Sequence, residues 1–381
     1  MGDGSISAPD DAVERVLGRH RAALMDGLHA AVEYAWRERP NGPEVAAQLA
    51  EFRGQIEYHL GWRRPDLSRV RGPSGKLLRP TLVLLACELA AARTGADESE
   101  RAQLVERALP AAVCIELVHN FSLIHDDIED GDEERHHRPT LWKLWGVPQA
   151  INTGDGLFSL ARLGLWRLVE RGVAPPMVVK LAGLLDQTCL ALCEGQFLDM
   201  QNEGRRDVSV AMYLAMIERK TAALMSCATE TGSWLGAPED AALAATLARF
   251  GRALGVAFQL RDDLLGIWSA GELGKSPAGD LRRKKMTLPI MHALETAPPA
   301  DRDALSAIYG APGPASENEI AIALGVLERA GARERVRAAL AVEAAVACNA
   351  LDEAAQQVPA ARAARDQLAT LVEYVTASLG G

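Results

Sequence analysis

The stretch that decides the fold runs from residue 111 to residue 130 and reads AAVCIELVHNFSLIHDDIED. Its apolar residues cover more than one face of a helix, which is typical of a helix buried within a helical assembly. The carboxylates of Asp126, Asp127 and Asp130 then interrupt the apolar run. Because an anion is costly to remove from water, three carboxylates in this setting predict a bound cation.

A second acidic pair lies far along the chain, in residues 258–265, which read FQLRDDLL. Asp262 and Asp263 interrupt an equally apolar run, although Gly266 stands where a third carboxylate would follow one turn later. Most acidic helix ends are merely solvated, but two such clusters in apolar helices favour a shared metal site. Carboxylate oxygens that leave room for water suit Mg²⁺ bridging to a phosphate-bearing substrate.

The rest of the chain shows helical periodicity, with no convincing strand, no repeat and no low-complexity tract. Helices are predicted at 12–36, 44–59, about 79–93, 100–127, 149–172, 176–202, 208–235 and 239–266, and near 316–330, 334–356 and 359–378. We therefore expect one all-α domain over residues 1–381, with 1–40 as an N-terminal extension and 316–380 as C-terminal helices.

Composition and charge exclude several classes of protein. Hydrophobic residues make up 48% of the chain and charged residues 24%, as in soluble globular proteins. The net charge of −10, with no basic stretch, argues against a nucleic-acid partner. The six cysteines form no CxxC pair and sit among small apolar residues, which predicts buried free thiols in a reducing cytoplasm. Without a signal peptide or a run of about 18 apolar residues, we expect a cytoplasmic protein with no transmembrane segment.

Cationic residues recur after glycines and after the acidic clusters. Lys76 and Arg79 stand at a predicted helix start, where free N–H groups and the helix dipole favour an anion. Residues 135–138, RHHR, follow the first acidic cluster, and residues 274–275 and 284–287 follow the second. Each cation alone is more often a surface residue, but their recurrence predicts a phosphate site divided between segments.

Taken in their order along the chain, the motifs resemble those of the trans-isoprenyl (polyprenyl) diphosphate synthases, in particular the short-chain geranylgeranyl and farnesyl diphosphate synthases. The matching segments are Gly75-Lys76-x-x-Arg79-Pro80, Glu116 to Asp130, Pro139-Thr140, Gly195-Gln196-x-x-Asp199, Lys220-Thr221, Phe258-Gln259-x-x-Asp262-Asp263, Gly274-Lys275, Gly279-Asp280 and Lys285-x-Thr287-Leu288-Pro289. The resemblance implies a bundle of long helices around a central deep cavity, the isoprenoid synthase type, and a homodimer.

The resemblance also implies a reaction and a role for each matched residue. The enzyme would be a Mg²⁺-dependent prenyltransferase that joins isopentenyl diphosphate to an allylic diphosphate (dimethylallyl, geranyl or farnesyl). The Mg²⁺ ligands would be Asp126, Asp127, Asp130, Asp262 and Asp263. The diphosphate of isopentenyl diphosphate would be bound by Lys76, Arg79 and His119, and the allylic diphosphate by Arg135, Lys220, Lys275 and Lys285. The residues facing the developing allylic cation would be Thr221 and Gln259, with Lys220.

Three positions depart from the family pattern. His136 takes the place of an arginine that binds isopentenyl diphosphate, and an imidazole is neither permanently charged nor bidentate. Gly266 replaces the third aspartate of the second motif, and Trp142 replaces a common histidine. Because both aspartate pairs are intact, we expect an active enzyme.

The residues before the first aspartate motif are predicted to form the floor of the prenyl pocket. Phe121 lies five positions before Asp126, about 7.5 Å along a helix; Ser122 is small and Val118 is of middling size. One aromatic here, without an insertion inside the motif, resembles geranylgeranyl synthases, whereas bacterial farnesyl synthases more often carry two extra residues. We therefore expect a C20 product, with C15 or longer products as alternatives. The other interpretation of Phe121 is an ordinary core aromatic.

Three other functions fit the sequence less well. A class I terpene cyclase needs Asn/Asp-Asp-x-x-Ser/Thr-x-x-x-Glu, but Gly266 and Ala270 stand four and eight residues after Asp262. A non-catalytic partner subunit would be expected to lose the aspartates. A metal-dependent phosphohydrolase would need paired histidine ligands besides His125.

Overall fold

The structure is a computed structural model that describes residues 9–37, 42–70, 75–202, 205, 208–268 and 278–377. The helices are α1 (Pro9–Arg19), α2 (Arg21–Ala35), α3 (Pro43–His59), α4 (Leu78–Ala91), α5 (Glu98–Glu129), α6 (Leu141–Trp145), α7 (Val147–Glu170), α8 (Pro175–Asn202), α9 (Val210–Ile217), α10 (Ala223–Gly236), α11 (Ala241–Trp268), α12 (Gly279–Arg282), α13 (Leu288–Thr296), α14 (Pro299–Gly310), α15 (Glu317–Arg329), α16 (Ala332–Gln357) and α17 (Arg362–Thr376). Short 3₁₀ segments span Ala92–Thr94 and Pro359–Ala361. A small antiparallel hairpin pairs β1 (Glu134–Arg135) with β2 (Arg138–Pro139). The predicted all-α class is confirmed.

The chain forms two compact units. Unit 1 contains residues 1–189, 227–248 and 354–368, and unit 2 contains residues 190–226, 249–353 and 369–381. Several long helices, among them α8, α11 and α16, contribute residues to both units. The single domain over the whole chain stays a prediction.

Helix α5 carries the first acidic cluster in unit 1. Its N-terminus is fixed by a capping box, in which Asp97 accepts from the Glu100 N–H and the Glu100 side chain accepts from the Asp97 N–H. The middle of the helix is buried, and its most extensive partner is α7. Gly154 of α7 allows this close packing, because a Cβ at that position would overlap the ring of His125.

Helix α11 carries the second acidic pair in unit 2. Its side chains Val256, Leu260 and Leu264 join an apolar core built from α9, α11 and α13 to α16. Between α9 and α10 the backbone forms a π-helical segment, Glu218–Ala222, a feature frequent at functional sites. Gly195 of α8 permits the approach of this segment, since a Cβ there would lie 2.7 Å from Lys220 Cα.

Some sequence predictions were wrong in detail. The helix predicted over 12–36 is two helices, with the break at His20. The hairpin was missed, because strands of two residues are too short to show alternation. Four cysteines are buried as predicted, but Cys193 and Cys348 are exposed.

Three helices, α5, α8 and α11, are long and apolar enough to cross a membrane by length and composition. Their most apolar segments are 61%, 39% and 61% buried inside the structure, in that order. Length and composition alone therefore do not support the predicted absence of a transmembrane segment, which stays a prediction.

Candidate active site

The first acidic cluster lies at the C-terminal end of α5. Asp126 and Asp130 are one helical turn apart, and the Asp130 N–H donates to the Asp126 carbonyl at 2.8 Å. Asp127 is only 3% exposed, and Arg135 Nε donates to its Oδ1 at 2.7 Å. Burial raises the pKa of Asp127 to about 6, and the Arg135 guanidinium acts in the opposite direction. The helix end therefore places two carboxylates on one side and pairs the third with Arg135.

The hairpin that brings Arg135 to Asp127 turns at His136 and His137. Both histidines have positive φ, 51° and 59°, as the two central residues of a type I′ turn do. A non-glycine residue adopts this backbone less readily than glycine. His136, which stands where the family has an arginine, therefore lies on an exposed and tightly turned segment.

Side chains that follow the first motif fix the hairpin and the loop before it. The guanidinium of Arg138 donates to two backbone carbonyls near the end of α3, one of them that of Tyr58, and lies 4.2 Å from the Tyr58 ring centre. Thr140 Oγ1 and Trp142 Nε1 both donate to the carbonyl of Asp132 at 2.9 Å. The indole at the position of the common histidine therefore holds the loop that follows the first motif.

The residues predicted to bind isopentenyl diphosphate lie in unit 1 and shift one another's pKa values. Arg79 Nη1 and His119 Nε2 are 3.1 Å apart. Burial, followed by Arg79 and Arg135, lowers the pKa of His119 well below its usual value. The pKa of His136 is also lowered, by burial and by neighbouring cations that include Arg135 and Lys76. The structure therefore gathers a cationic region from three separate stretches of sequence.

Two further ionisable side chains belong to this cationic region. His59 Nε2 is buried without a hydrogen-bond partner, and burial, followed by nearby arginines, lowers the pKa of His59 to about 3. Asn120 Nδ2 donates to Glu116 Oε1 at 3.1 Å. Burial raises the pKa of Glu116 to about 7, and Arg79 acts in the opposite direction. Neutral imidazoles beside guanidinium groups leave this region ready to accept an anion.

The predicted chain-length residues lie on α5. Val118 is buried, whereas Phe121 and Ser122 are partly buried. The Phe121 ring makes edge-to-face contacts with Phe158 of α7 and with His125, with ring centres 5.2 Å and 5.8 Å apart. Phe121 is thus one member of a small aromatic group and not an isolated ring.

The two aspartates of the second pair have different surroundings in unit 2. Asp262 is partly buried, whereas Asp263 is 2% exposed. The Tyr213 hydroxyl donates to Asp263 Oδ2, and Gln259 Nε2 donates to Oδ1 at 3.2 Å. Gln259 Oε1 accepts from Thr221 Oγ1 at 2.8 Å. Burial raises the pKa of Asp263 to about 7, and its hydrogen-bond donors act in the opposite direction.

The lysines predicted to bind the allylic diphosphate are placed as follows. Lys220 lies in the π-helical segment, and its Nζ is 2.6 Å from Asp199 Oδ2. Lys285 is partly buried, and its N–H donates to the Asp280 carbonyl at 2.9 Å. Lys275 lies outside the described residues. Asp199, matched in the sequence without a role, is therefore the ion-pair partner of Lys220.

A carboxylate fills the space beside Gly266. A Cβ built on Gly266 would lie 2.5 Å from Asp280 Cγ. Asp280 belongs to α12 and also contributes to raising the pKa of Asp263. The second motif thus lacks its third aspartate at position 266, and a carboxylate from another element of the same unit lies beside that position.

Comparison with known proteins places the chain in a family. The polyprenyl synthetase family profile matches residues 67–327, which is more than half of the chain. The chain belongs to the polyprenyl synthetase family. This confirms the resemblance found in the sequence and, with it, the enzyme class, a prenyltransferase.

Individual family members are similar over most of their length. A geranylgeranyl diphosphate synthase of Mycobacterium tuberculosis is 40% identical over 344 residues, which cover 88% of this chain and 90% of the relative. A (2E,6E)-farnesyl diphosphate synthase of Mycobacterium bovis is 40% identical over 286 residues, 74% and 75% of the two chains. The crystal structure of a polyprenyl synthetase from Streptomyces coelicolor A3(2) gives a TM-score of 0.80 at 36% identity, covering 95% of this chain and 99% of that one.

The acidic residues suit a magnesium ion that arrives together with a phosphate. Within the described parts of the chain, no group of three or more His, Cys, Asp or Glu side chains could hold a metal ion by itself. Mg²⁺ commonly takes one or two carboxylates and completes its shell with substrate phosphates and water. In unit 1, Asp126 and Asp130, one turn apart, provide such oxygen ligands. In unit 2, the partly buried Asp262 provides a carboxylate of its own.

Several residues of the site were missed in the sequence. Tyr213 lies seven residues before Lys220, two helical turns away, and its hydroxyl is the one polar side-chain group in the sequence of α9, VAMYLAMI. That polar group in an apolar helix was the available signal. His59 and Phe158 left no signal, because their roles depend on contacts between helices distant in sequence.

Proposed function

We propose that the protein condenses isopentenyl diphosphate with an allylic diphosphate, head to tail and with Mg²⁺, and releases the all-trans C20 product geranylgeranyl diphosphate. One observation supports this proposal most: unit 1 contains two polar clusters of different chemistry. Asp126 and Asp130 offer oxygen ligands for a diphosphate that carries metal, whereas Arg79 and His119, 3.1 Å apart, offer donors for a diphosphate without metal. A reaction between two diphosphates needs both, and a cyclase with one diphosphate does not.

The carboxylates would hold the ion against the allylic diphosphate. Bound Mg²⁺ would supply positive charge to the diphosphate oxygen as the C–O bond breaks. The most accessible of the predicted ligands are Asp126, Asp130 and Asp262, which are only partly buried. Asp127 and Asp263 were predicted as ligands too, and they are 3% and 2% exposed.

The remaining residues would bind the substrates and stabilise charge. The diphosphate of isopentenyl diphosphate would lie against Lys76, Arg79, His119 and His136, and the allylic diphosphate against Arg135, Lys220, Lys275 and Lys285. The oxygen atoms of Thr221 and Gln259, held to each other at 2.8 Å, would face the allylic cation, because fixed dipoles stabilise charge that develops in a site closed to water. The double bond of isopentenyl diphosphate then forms the new C–C bond, and a proton is lost.

The C20 product is supported by the aromatic residues beside the first motif. Phe121 and its partner Phe158 form an aromatic pair next to the first motif, which has no inserted residues. Overall identity does not decide the length, because the geranylgeranyl and farnesyl synthases quoted above are both 40% identical to the chain. The farnesyl product, C15, is therefore the alternative.

The assembly and location are part of the same proposal. Helix α7 exposes large apolar side chains, namely Val147, Ile151, Leu163, Trp166 and Val169. Exposed apolar side chains in this number on one helix are typical of an interaction surface, and a homodimer would cover them. We infer a cytoplasmic enzyme with no transmembrane segment and no nucleic-acid partner.

Product analysis tests the proposal. The purified protein is incubated with Mg²⁺, isopentenyl diphosphate and radiolabelled dimethylallyl, geranyl or farnesyl diphosphate, and the dephosphorylated products are separated by chain length. A C20 alcohol is the expected result, and a C15 alcohol would select the alternative. A cyclised hydrocarbon, free phosphate without chain growth, or no turnover would refute the proposed condensation.

A further inference from the structure

A buried hydrogen-bond network in unit 2 begins at Tyr213. Its ring is 1% exposed, and its hydroxyl donates to Asp263 Oδ2. The other carboxylate oxygen accepts from Gln259 Nε2 at 3.2 Å, and Gln259 Oε1 accepts from Thr221 Oγ1 at 2.8 Å. The backbone of Leu288 also hydrogen-bonds to the Asp263 carboxylate. The Asp263 carboxylate therefore joins α9, α11 and the start of α13, and through Gln259 it is linked to the π-helical segment.

The two aspartates of the second motif cannot serve the same side of α11. Successive helical residues are about 100° apart around the axis. Asp262 is partly buried, whereas Asp263 points into the interior and both of its oxygens have protein donors. An ion that used the Asp263 oxygens would have to displace donors that a buried carboxylate needs.

We propose that Tyr213 is a positioning residue: through Asp263 it fixes Gln259 and, beyond it, Thr221, the two side chains assigned to the developing allylic cation. In this arrangement Asp263 acts through its hydrogen bonds, and Asp262 is the metal-facing aspartate of the pair. The inference rests on the proposed function, since Gln259 and Thr221, which Tyr213 holds in place, are the groups that stabilise charge in that reaction.

The network explains why a hydroxyl stands in this apolar helix. A phenylalanine would fill the same volume in α9, so packing alone does not require the tyrosine oxygen. Gln259 can donate to Asp263 and accept from Thr221 only in one orientation of its amide, and the Asp263 acceptor selects that orientation. Losing the Tyr213 donor frees the carboxylate to shift, and the amide orientation then becomes less fixed.

The decisive variant is Tyr213→Phe, with Tyr309→Phe as the matched control. Tyr309 is another buried tyrosine of unit 2, and its hydroxyl makes a single long contact of 3.4 Å with the Lys285 carbonyl. We expect Tyr213→Phe to lower kcat by about 10- to 100-fold, as a small misplacement of catalytic groups does, with the KM of each substrate nearly unchanged. Tyr309→Phe should keep the wild-type kcat. Equal kcat values for the two variants would overturn the positioning role.

Metal binding gives a readout that does not depend on turnover. Bound Mn²⁺ is counted by electron paramagnetic resonance in the presence of inorganic diphosphate, for the wild type, Asp262→Asn and Asp263→Asn. We expect Asp262→Asn to lose bound Mn²⁺ and Asp263→Asn to retain the wild-type number. The same loss in both variants would refute the division of roles. If the wild type makes no prenyl product, the proposed function fails, and the Mn²⁺ count still decides this point.

A double-variant cycle covers the case in which Tyr213→Phe folds poorly. Thr221→Val removes the other end of the network without touching α9. If both changes disturb the orientation of Gln259, their effects on kcat should be less than multiplicative when combined. Independent, multiplicative effects at unchanged circular dichroism would show that Tyr213 does not act through Gln259 and Thr221, and would overturn the positioning role.

Discussion

The carboxylate of Asp280 occupies the space that a side chain at position 266 would fill, because a Cβ on Gly266 would lie 2.5 Å from Asp280 Cγ. Restoring the family's aspartate with Gly266→Asp would displace Asp280 and set two carboxylates side by side. We expect the free energy of unfolding to fall by about 1–3 kcal/mol, as for other overpacked positions. Urea unfolding measures this as a lower midpoint.

Gly266→Ala separates size from charge at the same position. Alanine favours a helix by about 1 kcal/mol over glycine, so a net loss of stability would report the collision with Asp280. In an Asp280→Ala background the collision is gone and Gly266→Ala should become stabilising. The cycle should give an interaction energy of about 0.5–3 kcal/mol, and an energy of zero would show that the Asp280 carboxylate does not fill this space in solution.

Removing a metal-facing aspartate should abolish most of the turnover. We expect Asp126→Ala or Asp262→Ala to lower kcat by at least about 10²- to 10³-fold, because the charge that develops on the leaving diphosphate loses its counterion. Steady-state kinetics with saturating Mg²⁺ measure the loss. Glu129→Ala, an exposed acidic neighbour on the same helix, is the control and should retain wild-type turnover. Activity that survives in Asp126→Ala, or in excess chelator, contradicts the metal assignment.

Sequence patterns predicted the long helices well and the contacts between them poorly. Helix α5 was expected over 100–127 and spans Glu98–Glu129, because an apolar run ended by carboxylates is a local signal. The partner of Asp263 was not predicted, since Tyr213 is 50 residues away in the chain. The π-helical segment was missed as well, and its close packing against Gly195 is a contact between residues distant in sequence.

Restoring the arginine at position 136 should tighten the binding of isopentenyl diphosphate. His136 lies on the hairpin turn, where burial, followed by nearby cations, lowers its pKa and so disfavours the charged imidazolium. We expect His136→Arg to lower the KM for isopentenyl diphosphate by about 3- to 10-fold, because a guanidinium makes charge-assisted, bidentate hydrogen bonds. His137→Arg adds the same charge one residue away and serves as the control. Equal effects of both variants would indicate that the added positive charge acts through its electrostatic field. Residue 136 would then make no direct contact with isopentenyl diphosphate.

The aromatic pair in front of the first motif should set the product length. Phe121→Ala removes one ring of the contact with Phe158 and should lengthen the product beyond C20, as seen by chromatography of the dephosphorylated alcohols. Ser122→Phe should shorten it, because a ring would replace a small side chain. Phe52→Ala, which removes an aromatic packed near Gly156 of α7, should leave the length unchanged. An unaltered product from Phe121→Ala would make Phe121 an ordinary core residue.

His59 should make folding stability depend on pH in mildly acidic solution. Its pKa is lowered from 6.5 to about 3 in the folded chain, mainly by burial, so the unfolded state binds a proton between these values and the folded state does not. Stability should therefore be complete above about pH 6.5 and fall as the pH drops toward 3. His59→Gln removes this proton uptake, so its Tm should fall less steeply between pH 7 and pH 4 than that of the wild type, by calorimetry at about 0.1 M salt. His29→Gln is the control and should keep the wild-type slope. A slope that is unchanged in His59→Gln would mean that the imidazole of His59 is accessible to protons in the folded protein.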